Sequence, residues 1–495
     1  EKANLFGSHL AEVFKPYPPV SASDETEILE YLQSPHQMSP PIKPFSTTEV
    51  KIMLKHLNPK KAPGHDLISD KVIKELSEKG VALITSIFNA ILRLEYYPNS
   101  WKLSLITLVH KQGKPIHEVT SYRPISLLPS LSKLFEKMLI NRLRSALEDS
   151  VIPNHQFGFR KRHSTIEQIH RITHSISQDL ECKRYCSAVF LDIKQAFDKV
   201  WHTGLLYKLK KTLSHSYYSI LHSYLSNRQF KVRFSQVTTP TFPITSGVPQ
   251  GSVFGPFLYS IYTADLPTAT NVTTATFADD TALLVSNEDP QVASTILQEH
   301  LYDIEKWSQK WRINVNESKS THVTFTLRKH NCPPVTIHDS VIPTADTVKY
   351  LGMILDRKLT WKEHIKTKVN YLKGRIKKFY WLIGRRSNLN LESKLALYKA
   401  ILKPVWTYGI QLWGTASTSN IEILQRFQSK TLRLICNAPW YVTIEVIHRD
   451  LKIPTVTEEI SKYSNRHNTR LNIHTNPLVT PLLNSTEHHR RLKRH

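Results

Sequence analysis

An α+β fold organised around an antiparallel sheet is what this chain predicts, on three observations. From Trp101 to about Asp356, short apolar β-branched runs mix with segments of helical spacing. Within that span the run from Thr273 to Val285 is interrupted by Phe277, Ala278, Asp279 and Asp280, which predicts a hairpin with two adjacent carboxylates at its tip. After Trp361 the spacing turns helical. The chain accordingly divides into residues 1–100, an extension with amphipathic helices; 101–356, the mixed core; 357–440, a helical part; and 441–495, a basic C-terminal segment.

Taken in order, residues 1–15 read as a short amphipathic helix, followed by a proline-rich connector containing Pro35, Pro40, Pro41 and Pro44. Ser46 and Glu49 make a capping box, and Val50, Met53, Leu54 and Leu57 follow on one helical face. That helix ends at Lys60, Lys61, Ala62, Pro63 and Gly64. Ala188, Val189, Phe190 and Leu191 form a buried-strand pattern that ends in Asp192, and the turn GVPQGS, Gly247 to Ser252, lies between Asp192 and the hairpin. In the helix from Ser419, Leu424, Phe427, Thr431, Leu434 and Ile435 mark one face. Arg426, Lys430 and Arg433 line another, either a stripe for a phosphate backbone or a solvated surface. The tail from His488 to His495 is basic and reads as disordered rather than as a metal site.

A hydrophobic share of 40% over 495 residues suffices for a real core. Lys and Arg number 66 against 41 Asp and Glu, a net charge of +25, which calls for a polyanionic partner, nucleic acid before an anionic membrane. Four cysteines without a CxxC pair make no disulfide framework and fit a reducing compartment; Cys182 and Cys186 read as plain thiols rather than half a zinc site. The longest apolar segment, Val81 to Leu92, is broken by Thr85, Ser86 and Asn89, so no membrane span and an intracellular protein are expected. Opening at Glu1 without Met, the chain reads as a fragment of a larger product.

The acidic residues carry the chemistry. Strand extension has a 3′-hydroxyl attack an α-phosphate, with two divalent ions about 3.5 to 4 Å apart stabilising the attacking and leaving oxygens. Mg²⁺ takes hard oxygen donors and keeps several waters, so one or two carboxylates suffice beside substrate phosphates. Asp192 and Asp279 fit that need, with Asp280 in support, because successive strand residues face opposite ways unless the tip turns between them. Phe197, five residues after Asp192, is spaced to exclude a 2′-hydroxyl and select deoxynucleotides; the alternative is an ordinary core ring. Gly247 and Gly251 permit close backbone approach, Pro249 stiffens the turn, and Gln250 offers both donor and acceptor. Together these features describe a metal-dependent nucleotide polymerase.

At these residues the chain resembles the reverse transcriptases of non-LTR retrotransposons, nearest the jockey group, over almost its whole length. The motifs stand here as LDIKQAFDKVWH from Leu191, SGVPQGSVFGP from Ser246, FADD from Phe277, NESKS from Asn316 and YLGMIL from Tyr350. SYRPISLL from Ser121, QFGFR from Gln156 and the stretch Lys60 to Gly64 match as well. The resemblance implies a right-hand polymerase fold, with fingers and palm in 101–356 and a thumb in 357–440. It implies RNA-directed DNA synthesis in target-primed reverse transcription, using two Mg²⁺ ions (Mn²⁺ a substitute), an RNA template, a DNA primer or target, and dNTPs.

By resemblance Arg123 meets the triphosphate with Lys111 or Lys114 assisting, a role that suits a bidentate guanidinium. Gln250 and Gly251 line the nucleotide pocket, Leu351 and Gly352 form the primer grip, and Lys319 is a candidate for protonating pyrophosphate. Lys60 and Lys61 join Arg426, Lys430 and Arg433 as nucleic-acid contacts. Gln195 stands where the family usually has Lys, and Phe254 where it has Leu; neither removes a metal ligand. The endonuclease of family members has no counterpart in the chain, so it is expected to polymerise but not cut, at target DNA in the nucleus after assembly with RNA in the cytoplasm. The rival readings are a decayed or domesticated copy that only binds nucleic acid, which the complete set of carboxylates opposes, and a group II intron maturase.

Overall fold

The structure, a computed structural model, describes residues 2–235 and 237–483. Its strands in chain order are β1 (Leu103–His110), β2 (Tyr122–Leu127), β3 (Tyr185–Leu191), β4 (Arg228–Phe234), β5 (Val237–Thr238), β6 (Phe242–Ile244), β7 (Thr273–Phe277), β8 (Asp280–Asn287), β9 (Thr321–Phe325), β10 (Thr336–Ile337), β11 (Ser340–Val341), β12 (Thr347–Tyr350) and β13 (Met353–Asp356). The fold is α+β, and its contacts divide it into two compact units, each discontinuous in sequence. One comprises the described residues to Arg160, Asp192–Pro267 and Tyr302–Asn316; the other Lys161–Leu191, Thr268–Leu301 and the described residues from Glu317.

In the first unit the sheet runs β2-β1-β4-β5, with β6 also paired to β4, antiparallel and on the edge away from β1. β1 pairs antiparallel with β2 but parallel with β4, Leu105 opposite Lys231. The sheet of this unit is therefore mixed, and the antiparallel sheet expected of the core is the one in the second unit. The Lys2–Val13 helix, expected from residues 1–15, buries Phe6 and Leu10 against Phe230 and Val232. A second helix, Ala22–Gln33, precedes the prolines and was not expected; only Ile28 of it is fully buried, so its apolar period is faint. The capping box is present: Ser46 Oγ accepts from Glu49 N at 3.1 Å while Glu49 Oε2 accepts from Ser46 N at 2.7 Å.

This unit's core is aromatic. Phe88, Tyr97, Trp101, Phe135 and Tyr224 meet edge to face with centroids 5.0 to 6.2 Å apart. Inside it lies Glu136, fully buried on the Ser130–Val151 helix. Its carboxylate accepts from Val253 N at 2.7 Å, Phe254 N at 3.3 Å, Tyr97 Oη at 2.9 Å and Ser132 Oγ at 3.0 Å. Burial pushes its acid above the usual carboxylate range, and these donors together with Arg228 pull it back. Glu136 thereby ties that helix to the chain just past Gly247–Ser252.

In the second unit the order is β7-β8-β3-β9, all antiparallel. Every residue of β3 is buried, as its unbroken apolar run requires. The Thr165–Glu181 helix covers one face with Ile169, Ile172, Ile176 and Leu180, and its Gln168 and Arg171 donate to Thr276 O at 3.0 Å and Thr274 O at 2.7 Å. From Lys362 the unit is helical. The Thr418–Ile435 helix buries Leu424, Phe427, Thr431 and Ile435 as expected, but Leu432 rather than Leu434 completes that face. Cys186 is buried and Cys182 exposed. Among the described residues no helix is long and apolar enough to cross a membrane. His488 to His495 lie outside the described residues.

Replacing Glu136 with Ala leaves two backbone N–H groups and two hydroxyls without their shared acceptor in a dry core, so a loss of about 3 kcal/mol is expected. Urea denaturation with an unchanged m-value is the measurement; a loss below about 0.5 kcal/mol would mean water replaces the carboxylate at no cost.

Candidate active site

The carboxylate hairpin is tight. Phe277 pairs with Asp280 across two central residues, Ala278 and Asp279. Ala278 has φ 59°, and Asp279 is not among the residues with positive φ. That is the pattern of a II′ turn, whose first central position normally belongs to glycine, so an Ala there carries strain of roughly 1 kcal/mol. The bend falls directly before Asp280, so strand alternation no longer separates the two acids. Asp279 is half-buried and Asp280 exposed.

On the neighbouring strand Leu191, the last residue of β3, is the partner of Thr281. Asp192 follows Leu191 directly in the chain, as Thr281 follows Asp280. In the first unit, Asp192 is half-buried, and Asn316 holds it twice. Its Oδ2 accepts from Asn316 Nδ2 at 3.0 Å and its backbone oxygen from Asn316 N at 2.7 Å. Carboxylate oxygens are hard donors suited to Mg²⁺, which needs few of them. Among the described residues no group of three His, Cys, Asp or Glu side chains is placed so that it could hold a metal ion.

The other expected residues of the first unit gather around Gly247–Ser252. Phe197 is half-buried, stacked on Tyr259 at 4.6 Å and edge-on to Phe159 at 5.8 Å. The loop is bolted to the segment after Phe197: Val248 N donates to Phe197 O and Gly247 N to Val200 O, each at 2.8 Å, and Ser246 Oγ to Asp198 O at 3.2 Å. Buried His202, held neutral by desolvation that lowers it to about 4, donates from Nε2 to Gly247 O at 2.8 Å. Gln250 O accepts from Ser126 N at 2.8 Å, and Gln250 Nε2 donates to Asp198 Oδ1 at 2.8 Å.

Both glycines have positive φ, and a Cβ would lie 2.6 Å from Asp198 O at Gly247 and 2.5 Å from Ser126 O at Gly251. The close approach they permit here is to the protein's own carbonyls. Arg123 is exposed on β2 opposite Val109, and Lys111 donates from Nζ to Thr120 O at 2.8 Å. Lys60, Lys61 and Lys114 are exposed.

In the second unit Leu351 (φ 44°) and Gly352 (φ 83°) form the two-residue turn between β12 and β13, a I′ pattern, and Tyr408 Oη donates to Leu351 O at 2.6 Å. Lys319 is exposed in the turn after Asn316, as are Arg426 and Lys430 on their helix. Arg433 differs. It is half-buried, and its guanidinium donates to Pro439 O and to Val442 O, the latter at 2.7 Å, clamping the following loop.

Residues 109–355 match the model of the reverse transcriptase (RNA-dependent DNA polymerase) family. The chain belongs to this family. It is 43% identical over 499 residues, 100% of its own length and 55% of the relative's, to a probable RNA-directed DNA polymerase from transposon X-element of Drosophila melanogaster. To the RNA-directed DNA polymerase from mobile element jockey of the same organism it is 40% identical over 512 residues, 100% of this chain and 56% of that protein. The chain thus spans about half the length of the curated relatives it matches. A solved telomerase of Candida tropicalis, in complex with a fragment of telomeric RNA, aligns at TM-score 0.36 and 12% identity over 76% of this chain and 68% of that one.

Three further residues hold these segments in place. Asn316 stands inside a stretch already quoted and Tyr408 in the helical part after Trp361, but only contact reveals what they hold. Asp198 follows Phe197 and looks like a solvated acid in a charged helix start; it is 8% exposed. Burial raises its acid to about 6, against the opposing effects of the Gln250 hydrogen bond, Lys111 and Lys199.

Because that value lies above the unfolded one, the folded chain holds a proton the unfolded chain has released. The resulting stability is complete below about pH 4 and is lost as pH rises through about 6, roughly 3 kcal/mol in all. Asp198→Asn should therefore gain stability relative to the parent between about pH 4 and 7, by up to that amount. Urea melts across that window test it; a difference independent of pH would show the carboxyl to be solvated.

Proposed function

We propose that this chain copies RNA into DNA, adding deoxynucleotides to a primer 3′-end in target-primed reverse transcription. What carries the reading is the pairing of Leu191 with Thr281, with Asp192 next in the chain on one side and Asp279 and Asp280 at the hairpin on the other. The family membership supports the same chemistry.

In this reading Asp192, Asp279 and Asp280 would hold two Mg²⁺ ions, or Mn²⁺ in their place, which would supply charge stabilisation for the attacking and departing oxygens. Asn316 fixes the Asp192 carboxylate so that little reorganisation accompanies reaction. Arg123 and Lys111 neutralise the triphosphate, and Lys319 delivers the proton to pyrophosphate. The Phe197 ring, braced by Tyr259 and Phe159, excludes a 2′-hydroxyl, and Gln250 contacts the incoming nucleotide. The Leu351–Gly352 turn, anchored by Tyr408, grips the primer. Lys60, Lys61, Arg426 and Lys430 follow the phosphate backbone, and Arg433 shapes the loop beside them. Residues 101–356 act as fingers and palm and 357–440 as thumb, at target DNA in the nucleus, the nick being made by an endonuclease of the full-length element protein.

With Mg²⁺, a DNA primer and an RNA template, Asp279→Asn should lower extension by about a thousandfold while template–primer affinity stays within about twofold. Undiminished extension by the variant would overturn the metal assignment. Phe197→Ala should raise the use of ribonucleotides relative to deoxynucleotides by roughly 10- to 100-fold, read from kcat/KM ratios, and an unchanged ratio would return Phe197 to the core.

A further inference from the structure

We propose that Asp198 is a positioning residue of the nucleotide pocket: its carboxylate sets which end of the Gln250 amide faces the incoming deoxynucleotide. The inference rests on the polymerase reading and deepens it. An amide side chain can turn either end outward, and the two faces are chemical opposites, a pair of donors or an acceptor. Here the backbone of Gln250 is already fixed by Ser126, so rotation of the side chain is the remaining freedom. Asp198 Oδ1 removes it. An ionised carboxylate only accepts, so the amide nitrogen turns inward to it at 2.8 Å and Oε1 is the end directed away.

The same dipeptide governs the ring beside it. Phe197 O and Asp198 O receive Val248 N and Ser246 Oγ, and the backbone at Asp198 leaves no room for a side chain at Gly247. The ring that screens the sugar and the amide that meets the nucleotide are thus registered by consecutive residues. Burial raises the Asp198 acid, and the Gln250 hydrogen bond with Lys111 and Lys199 opposes that rise, so the carboxylate this arrangement uses is the form present above about pH 6.

A double-mutant cycle of Asp198→Ala and Gln250→Leu tests it, with steady-state incorporation of single dNTPs on a primed RNA template. Each single variant should raise the KM for dNTP by about tenfold with kcat within about threefold, and the double variant should be no worse than Gln250→Leu alone, because the two act as one unit. Asp198→Asn, which keeps an acceptor oxygen, should fall between parent and Ala, and it completes the cycle if the Ala variant does not fold. Penalties that multiply, or a loss confined to kcat, would overturn the proposal while leaving the polymerase reading intact. A parent chain unable to extend any primer would instead sink that reading, and this inference with it.

Discussion

The candidate chemistry depends on one strand register. Side chains alternate along a strand with a period of two, so a slip of β3 against β8 by a single residue would carry all of its side chains to the opposite face. β3 resists that slip because it is buried on both faces and paired on both edges, to β8 and to β9. Its last partner pair, Leu191 with Thr281, sets where the acidic residues beyond it begin. A strained Ala278 completes the hairpin, and the pairing on either side of the tip holds it in that conformation.

Two buried carboxylates perform a related task in the other unit. Glu136 receives the backbone at Val253 and Phe254, and Asp198 receives the side chain of Gln250, so the Gly247–Phe254 stretch is held from both ends. Desolvating a carboxylate is costly, and burial moves both acids upward. The return is a loop whose shape is set by hydrogen bonds rather than by packing alone.

What was legible in the residues is whatever a local pattern determines. The hairpin, the buried strand before Asp192, the capping box at Ser46 and the apolar face from Leu424 follow from periodicity and capping chemistry acting within a few residues. The parallel pairing of β1 with β4 was not legible, because it joins segments over a hundred residues apart and leaves no mark on either. The Ala22–Gln33 helix was missed since it buries little. Arg433 reads as one more cation on a basic face, yet its partners are carbonyls beyond the helix end. Asp198 was hidden for the same reason: burial is a property of surroundings, and charge in a sequence suggests water.

The interleaving of the two units has a consequence for how this protein can be cut and inherited. The polypeptide passes from one unit to the other five times between Arg160 and Glu317. Any break in that interval leaves neither unit whole, so neither can be excised as a contiguous module, shuffled into another gene or assembled independently during synthesis.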